Sequence, residues 1–303
     1  MPVRTRLAPT PSGYLHPGNG ISFALTWALA RAAGDSVLLR IDDLDRARFR
    51  MEFVEDIFRT LDWLGLDWDE GPQSPDDFIA HFSQTLRIEI YESALRKLSA
   101  SGLIYACDCS RKHVRQHTAD GHYPGFCSAR QLDLATPAAA WRAKLPEPCI
   151  VNINTWQEPN PYAVDLKNAL GDFVLRQKDG APAYQIASLC DDIHWNINFV
   201  VRGEDLLYST AAQVWLATQL SALSFQKITF FHHPLITDTR GEKLSKSAGA
   251  AALVNWRASG QHPKAIFARA AQWLGLDVQP ETAKELKELV QKYYAKFEMP
   301  GAA

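Results

Sequence analysis

The apolar positions of this chain change period several times along its length, and each change marks an element. Residues 3–8 read as a short strand stopped by Pro9, residues 21–33 carry the dense apolar pattern of a helix, and residues 36–41 are rich in strand formers. Strand, loop, helix, strand is the opening of a doubly wound α/β domain. From 51 to 102 the pattern is mainly helical. Phe53, Ile57, Leu61 and Leu64 fall on one face, and Leu86, Ile90, Ala94 and Leu98 on another, so both sets are expected in the core. Residues 107–166 turn irregular and rich in Pro, Cys, His and Trp, as an insertion between two halves of a parallel sheet would be. The α/β signal resumes at 171–175 and continues through 199–202 and 228–231. Beyond Ser247 the chain reads as helical, with Leu286, Leu289, Val290 and Tyr293 forming a stripe.

Composition narrows the class. With 303 residues, 47% hydrophobic and 22% charged, the chain can bury a substantial core, while a net charge of −2 neither supports nor excludes a nucleic-acid partner. No apolar run approaches the roughly 20 residues of a membrane helix. The opening MPVRTRLAP lacks the apolar block of a signal peptide, so the cytoplasm and no membrane partner are expected. No coiled-coil repeat or large apolar stripe argues for assembly, and a monomer is expected. Five cysteines suit a reducing compartment, and three of them crowd between Cys107 and Cys127.

Two segments carry phosphate chemistry. In His16-Pro17-Gly18-Asn19 an imidazole stands just before a helix, where the helix N-terminus adds partial positive charge, and Gly18 leaves room for a flat ring. Far downstream, Lys243-Leu244-Ser245-Lys246-Ser247 offers two ammonium groups on a loop that also contains Asp238, Arg240 and Gly241. Such point charges can follow the departing end of a triphosphate.

Together these loops resemble the two signature motifs of class I aminoacyl-tRNA synthetases. Four further segments resemble the glutamate-specific branch of that class: Arg6-Leu7-Ala8-Pro9-Thr10-Pro11-Ser12-Gly13, Leu39-Arg40-Ile41-Asp42-Asp43-Leu44-Asp45, Tyr184-Gln185-Ile186-Ala187-Ser188-Leu189-Cys190-Asp191-Asp192 and Val201-Arg202-Gly203-Glu204-Asp205-Leu206. They occur in the family's order. The resemblance implies a Rossmann-like doubly wound parallel sheet as catalytic domain at 1–106 and 167–240, an inserted zinc- and acceptor-binding subdomain at 107–166, and a lysine loop with a helical C-terminal region at 241–303. It implies ATP sites at His16, Gly18, Asn19, Lys243, Ser245 and Lys246, with His16 and Lys246 catalytic and Mg²⁺ arriving with ATP.

A glutamate ligand carries two carboxylates and one ammonium, so its pocket needs guanidinium groups, an acidic acceptor and a wall for the methylenes. Arg6 and Arg202 suit the first need, Asp42 the second and Tyr184 the third; by resemblance Ala8 and Thr10 join them. The family usually has Glu where this chain has Asp42. An acid one methylene shorter must meet a shifted ligand or act through water, and altered amino-acid binding is expected. Asp42, Asp43 and Asp45 also have a purely structural option, ion pairing with Arg40, Arg46 or Arg48.

Cys107, Cys109 and Cys127 supply three thiolates suited to a structural Zn²⁺, one ligand short of four. His113, His117, His122 and Tyr123 all lie within reach in sequence, and the resemblance points to Tyr123, because the family pattern is Cys-x-Cys followed by Tyr-x-x-x-Cys. Full-length members of the branch continue into a long anticodon-binding region after the lysine loop, where about 55 residues follow in this sequence. The resemblance is therefore to the branch's short paralogues, which activate L-glutamate with ATP without tRNA and transfer it to the queuosine base in the anticodon loop of tRNA(Asp). Arg111, Lys112, Arg115, Lys284, Lys287 and Lys292 are candidate RNA contacts. A truncated enzyme charging tRNA(Glu) and a catalytically silent paralogue binding glutamate or ATP are the alternatives.

Overall fold

The computed structural model describes residues 3–118, 122–235 and 252–294. Among the described residues the strands are β1 (Arg4–Leu7), β2 (Ser36–Leu39), β3 (Ile104–Cys107), β4 (Ala140–Ala143), β5 (Ile150–Ile153), β6 (Tyr162–Asp165), β7 (Val174–Arg176), β8 (Phe199–Gly203) and β9 (Thr229–His233). The chain forms two compact units. One comprises Met1–Leu86, Ile197–Asp205 and Thr229–Ala303, and the other Arg87–Asn196 and Leu206–Ile228.

The first unit is the parallel α/β part. β1 and β2 pair in parallel with Arg6 opposite Leu38, and β8 and β9 pair in parallel with Arg202 opposite His232. β1 and β8 are tied where they begin: Asn198 N donates to Arg4 O at 3.0 Å, and Arg4 N to Asn198 Oδ1 at 2.7 Å. Helix α1 (Pro17–Ala33) connects β1 to β2 and is buried from Gly20 through Ala30 at every position but Ser22, as its nearly all-round apolar composition requires. Gly20 permits this depth, because a Cβ there would come 3.0 Å from Leu253 Cδ1 and 3.4 Å from Ile266 Cδ1. Helix α2 (Met51–Leu64) turns Val54, Ile57, Leu61 and Leu64 inward. Phe53, expected in the core, is only half-buried and meets Tyr14 edge-on at 5.0 Å. The C-terminal stripe is realised by Leu286 and Val290, whereas Tyr293 is 48% exposed.

The second unit, with the turn that precedes it in the chain, corrects three expectations. Residues 107–166 are not irregular throughout: the segment holds β4, β5, β6 and the short helix Arg111–His117. Its strands are antiparallel, β3-β4-β7 in one sheet and β5-β6 in another. The signal at 171–175 therefore leads into β7, which pairs antiparallel with β4 and not into a parallel α/β ladder. Four-residue strands give too few alternations to declare themselves in sequence. Leu86, expected in a buried helical stripe, is 57% exposed in the turn before the helix Ile88–Ala100, whose buried face is Tyr91, Ala94, Leu95 and Leu98. That helix is anchored to the helix Tyr184–His194 by a buried cluster. Arg87 Nε and Nη2 fork onto the Asp191 carboxylate at 2.9 and 3.1 Å, and Tyr91 OH donates to it at 2.7 Å.

Candidate active site and cysteine cluster

Within the parallel unit, Arg6, Ala8, Thr10, Asp42 and Arg202 of the predicted glutamate residues lie toward the carboxyl ends of β1, β2 and β8, the end at which open α/β sheets bind ligands. Arg6 in β1 and Arg202 in β8 are both buried, at 5% and 4% exposure, and Arg6 Nη1 reaches Val201 O at 3.5 Å. Guanidiniums held this deep are costly to desolvate and are kept charged only where acceptors or anions meet them. The Arg202 guanidinium also stands 5.0 Å from the Phe230 ring. Beside it, His232 is pushed from the ordinary 6.5 down to about 3 by burial and by the charge of Arg202, so this imidazole stays neutral.

The β1 strand runs on into the loop bearing Ala8 and Thr10. The chain after β2 follows it, with Arg40 N on Leu7 O and Asp42 N on Pro9 O, each at 2.9 Å. Asp42 thereby lies next to the loop. Its carboxylate is gripped by Arg40, Nε to Oδ1 at 2.7 Å and Nη2 to Oδ2 at 3.0 Å, so the ion pair named as a structural option is formed. Asp43 turns elsewhere: it accepts from Ser83 Oγ and Gln84 N at 2.7 Å each and from Arg46 Nη1 at 2.6 Å. Asp45 pairs with Arg48 on the surface.

The same loop ends at α1. His16 is its N-cap residue with an extended backbone, Pro17 takes the first helical position, and the first turn contains no acidic side chain. Asn19 Oδ1 accepts from His16 N at 3.1 Å, so this amide caps its own helix and fixes the His16–Gly18 backbone. Lys243, Ser245 and Lys246 lie outside the described residues. Tyr184, in the second unit, is the first residue of its helix and is 44% exposed.

The second unit holds the cysteine cluster. β3 ends on Cys107, Ser110 caps the helix Arg111–His117 by accepting from His113 N at 3.0 Å, and Val114 of that helix packs against the cluster. The ligand atoms of Cys107, Cys109 and Cys127 all lie within 4.8 Å of one another, with Cys109 and Cys127 sulfurs 3.5 Å apart. A tetrahedral site with metal–sulfur bonds of about 2.3 Å separates its sulfurs by about 3.8 Å, so the group is able to hold a metal ion. No histidine joins it among the described residues. His113 and His117 stack on each other at 4.2 Å, and His117 Nδ1 is spent on His113 O at 2.8 Å.

The Tyr123 phenol does join it. The Cys107 thiol donates to its oxygen at 3.2 Å, Cys127 N at 2.9 Å, and Cys109 Sγ lies 3.6 Å away. Burial and the neighbouring sulfurs raise the phenol above its usual range, and burial pushes the Cys109 thiol up to about 11. Burial acts the same way on Cys127, but hydrogen bonds from Tyr123, Cys109 and Arg130 outweigh it and leave that thiol below its ordinary value. Arg130 forks onto Asp108 at 2.6 and 3.1 Å and reaches Cys127 Sγ at 3.2 Å. Arg142 lies over the Tyr123 ring at 3.8 Å. Gly171, at φ +68, lets the chain pass so close to Tyr123 that an added Cβ would stand 2.5 Å from Tyr123 O. Sequence reasoning named Arg40 only as one of three possible partners of the acidic run, and it missed Arg130, Arg142, Gly171 and His232, for which no local signal was available.

These features define an aminoacyl-tRNA synthetase of class I. The chain belongs to that family: the family model described as "tRNA synthetases class I (E and Q), catalytic domain" matches residues 2–296. Among curated proteins it is similar to the glutamyl-Q tRNA(Asp) synthetase of Symbiobacterium thermophilum, 38% identical over 92% of this chain and 88% of the relative. The protein of the same name from Deinococcus radiodurans is 36% identical over 95% of this chain and 96% of the relative. Among solved structures, the glutamate-tRNA synthetase of Elizabethkingia anophelis superposes with a TM-score of 0.76 at 26% identity, covering 95% of this chain. The chain spans 65% of that enzyme's length. The fold is thus the class I α/β fold with parallel sheets, and no helix among the described residues is long and apolar enough to cross a membrane.

Proposed function

We propose that the protein activates L-glutamate with ATP, without tRNA, and transfers it to the queuosine base in the anticodon loop of tRNA(Asp). The observation that carries the first half is the pair of buried guanidiniums, Arg6 and Arg202, in the parallel unit that also holds α1. The second half rests on the relatives named glutamyl-Q tRNA(Asp) synthetase, which the chain matches over most of their length.

In the reaction an α-carboxylate oxygen of glutamate attacks the α-phosphorus of ATP and the bond to pyrophosphate breaks. A hydroxyl of the modified base then attacks the acyl carbon of the glutamyl adenylate, and AMP leaves. No protein nucleophile is required; positioning and charge neutralisation supply the catalysis. Arg6 and Arg202 hold the side-chain carboxylate, Asp42 receives the ammonium, and Ala8, Thr10 and Tyr184 complete the pocket. His16, Gly18 and Asn19 at α1 and Lys243, Ser245 and Lys246 of the lysine loop bind ATP with its Mg²⁺. Cys107, Cys109, Cys127 and Tyr123 would hold a Zn²⁺ ion, whose chemistry is structural because four protein ligands leave no open position. The catalytic domain at 1–106 and 167–240, the insert at 107–166 and the tail from 241 act as a cytoplasmic monomer, with exposed Arg111, Lys112 and Arg115 available to RNA phosphates.

The test is glutamate-dependent ATP–pyrophosphate exchange without tRNA, followed by transfer of labelled glutamate to tRNA from cells that do or do not make queuosine. Exchange without tRNA, and labelling confined to queuosine-containing tRNA, is the expected result. Labelling at the 3′ end of queuosine-free tRNA would replace this reading with the charging of tRNA(Glu). Absence of exchange would leave a binding protein.

A further inference from the structure

We infer that Arg40 is a positioning residue for substrate recognition: its guanidinium fork aims the Asp42 carboxylate at the ammonium group of the bound amino acid. This rests on the reading that Asp42 receives that ammonium, and it names the device that makes a short acid adequate for the task.

Alternation along an extended chain puts Arg40 and Asp42, two residues apart, on one face, and the Arg6–Leu38 register puts Arg6 on that same face. Arg40, just past the end of β2, is thus able to reach Asp42. It does so with both ends of its fork, at 2.7 and 3.0 Å, while its side chain is 2% exposed and that of Asp42 12%. Two parallel hydrogen bonds fix the plane of a carboxylate, which a single bond does not. The backbone is fixed as well, since the chain on either side of the pair is bonded to Leu7 O and Pro9 O. Asp42 and the loop carrying Ala8 and Thr10 therefore form one rigid edge.

The neighbouring acids show what this arrangement is for. Asp43 is 1% exposed and is consumed in bracing Ser83, Gln84 and Arg46, and Asp45 lies in a surface ion pair. In this segment Asp42 is the acid that is both oriented by a buried guanidinium and still in reach of solvent. A carboxylate accepts up to about four hydrogen bonds, so a fork on one side does not preclude an ammonium on the other. Lysine at position 40 keeps the charge but replaces the planar fork with a point donor, and the orientation is lost.

The experiment measures binding of L-glutamate and of glutarate, the same diacid without its amine, to the full-length protein by calorimetry, for the wild type, Arg40→Lys, Arg40→Gln and Asp42→Asn. Thermal midpoints verify folding. Expected is a roughly tenfold weaker affinity for glutamate in both Arg40 variants, the scale of one well-placed charge-assisted hydrogen bond, with glutarate affinity held within about twofold, and Asp42→Asn at least as impaired toward glutamate. Equal losses for glutamate and glutarate would mean that Arg40 only supports the fold, and would overturn the inference. So would Arg40 variants that bind glutamate as the wild type does while Asp42→Asn is impaired, an outcome that leaves the proposed function standing. Undiminished glutamate binding by Asp42→Asn would remove the ammonium assignment and the inference with it. A wild-type protein that binds neither diacid would overturn both this inference and the function on which it rests.

Discussion

Replacing Gly171 by alanine tests how the cysteine cluster is held together. Gly171 has φ 68 and ψ −168, a conformation open essentially to glycine alone, and it pairs with Tyr123 in an isolated bridge that Asp172 N extends by donating to Tyr123 O at 2.9 Å. A methyl at residue 171 would stand 2.5 Å from Tyr123 O and 2.9 Å from Tyr123 N, both backbone atoms that no rotamer change can remove. Backbone strain of about 1–3 kcal/mol and overpacking of about 1–3 kcal/mol combine to about 2–6 kcal/mol. Relief requires the Tyr123 backbone to retreat, which draws its phenol away from the three sulfurs. The zinc-loaded Gly171→Ala protein is expected to melt about 10 °C lower and to release zinc to a colorimetric chelator faster than the wild type. Gly102→Ala is the control: Gly102 also has positive φ, at +69, but nothing lies within 4 Å of its added Cβ, so only the smaller backbone cost of about 1–2 kcal/mol applies. A Gly171→Ala protein with wild-type zinc retention and a midpoint no lower than that of the control would refute the reasoning.

Further consequences concern catalysis, pH and the buried ion pair. Lys246→Ala should slow glutamate-dependent ATP–pyrophosphate exchange about 10²-fold, the scale for one preorganised electrostatic group; an unchanged rate removes Lys246 from the mechanism. His232, held at about 3 against an ordinary 6.5, refuses a proton that the unfolded chain accepts. Stability is therefore complete above pH 6.5 and is lost as pH falls toward 3, by up to about 1.4 kcal/mol per pH unit before allowance for the ring's residual solvent contact. Urea midpoints at pH 7 and pH 5 should fall less in His232→Gln than in the wild type, and equal falls would count against this account; His233, also depressed by burial, acts in the same direction. Arg87→Met strips the fork from Asp191, which has no exposed surface, and should cost about 3–5 kcal/mol in chemical denaturation by leaving a buried carboxylate uncompensated. A wild-type midpoint would show that the cluster does not anchor the two helices.

What the sequence by itself determined is what local periodicity and short motifs can encode. β1, α1 and β2 follow from residues 3–41 because a buried helix between two short strands leaves its apolar positions in an unbroken pattern, and α2 follows from its repeat of inward residues. The clustering of Cys107, Cys109 and Cys127 was legible because it is carried by residue type and spacing, whereas Arg6, Arg202 and His16 were singled out by resemblance to a family. The antiparallel strands of the second unit were not legible, since four residues in a Pro-rich stretch alternate too briefly to register. Tertiary structure alone decided the rest, because an ion pair or a close backbone approach depends on partners that are distant in the chain. Nothing near Tyr123 in sequence announces that Arg142 will cover its ring or that Gly171 will leave room for its backbone, and nothing near Arg87 announces Asp191. Even at Asp42, where the partner is two residues away, residue types left several pairings open. The extended backbone beside the Ala8–Thr10 loop selected Arg40, because only neighbours on the same face can meet.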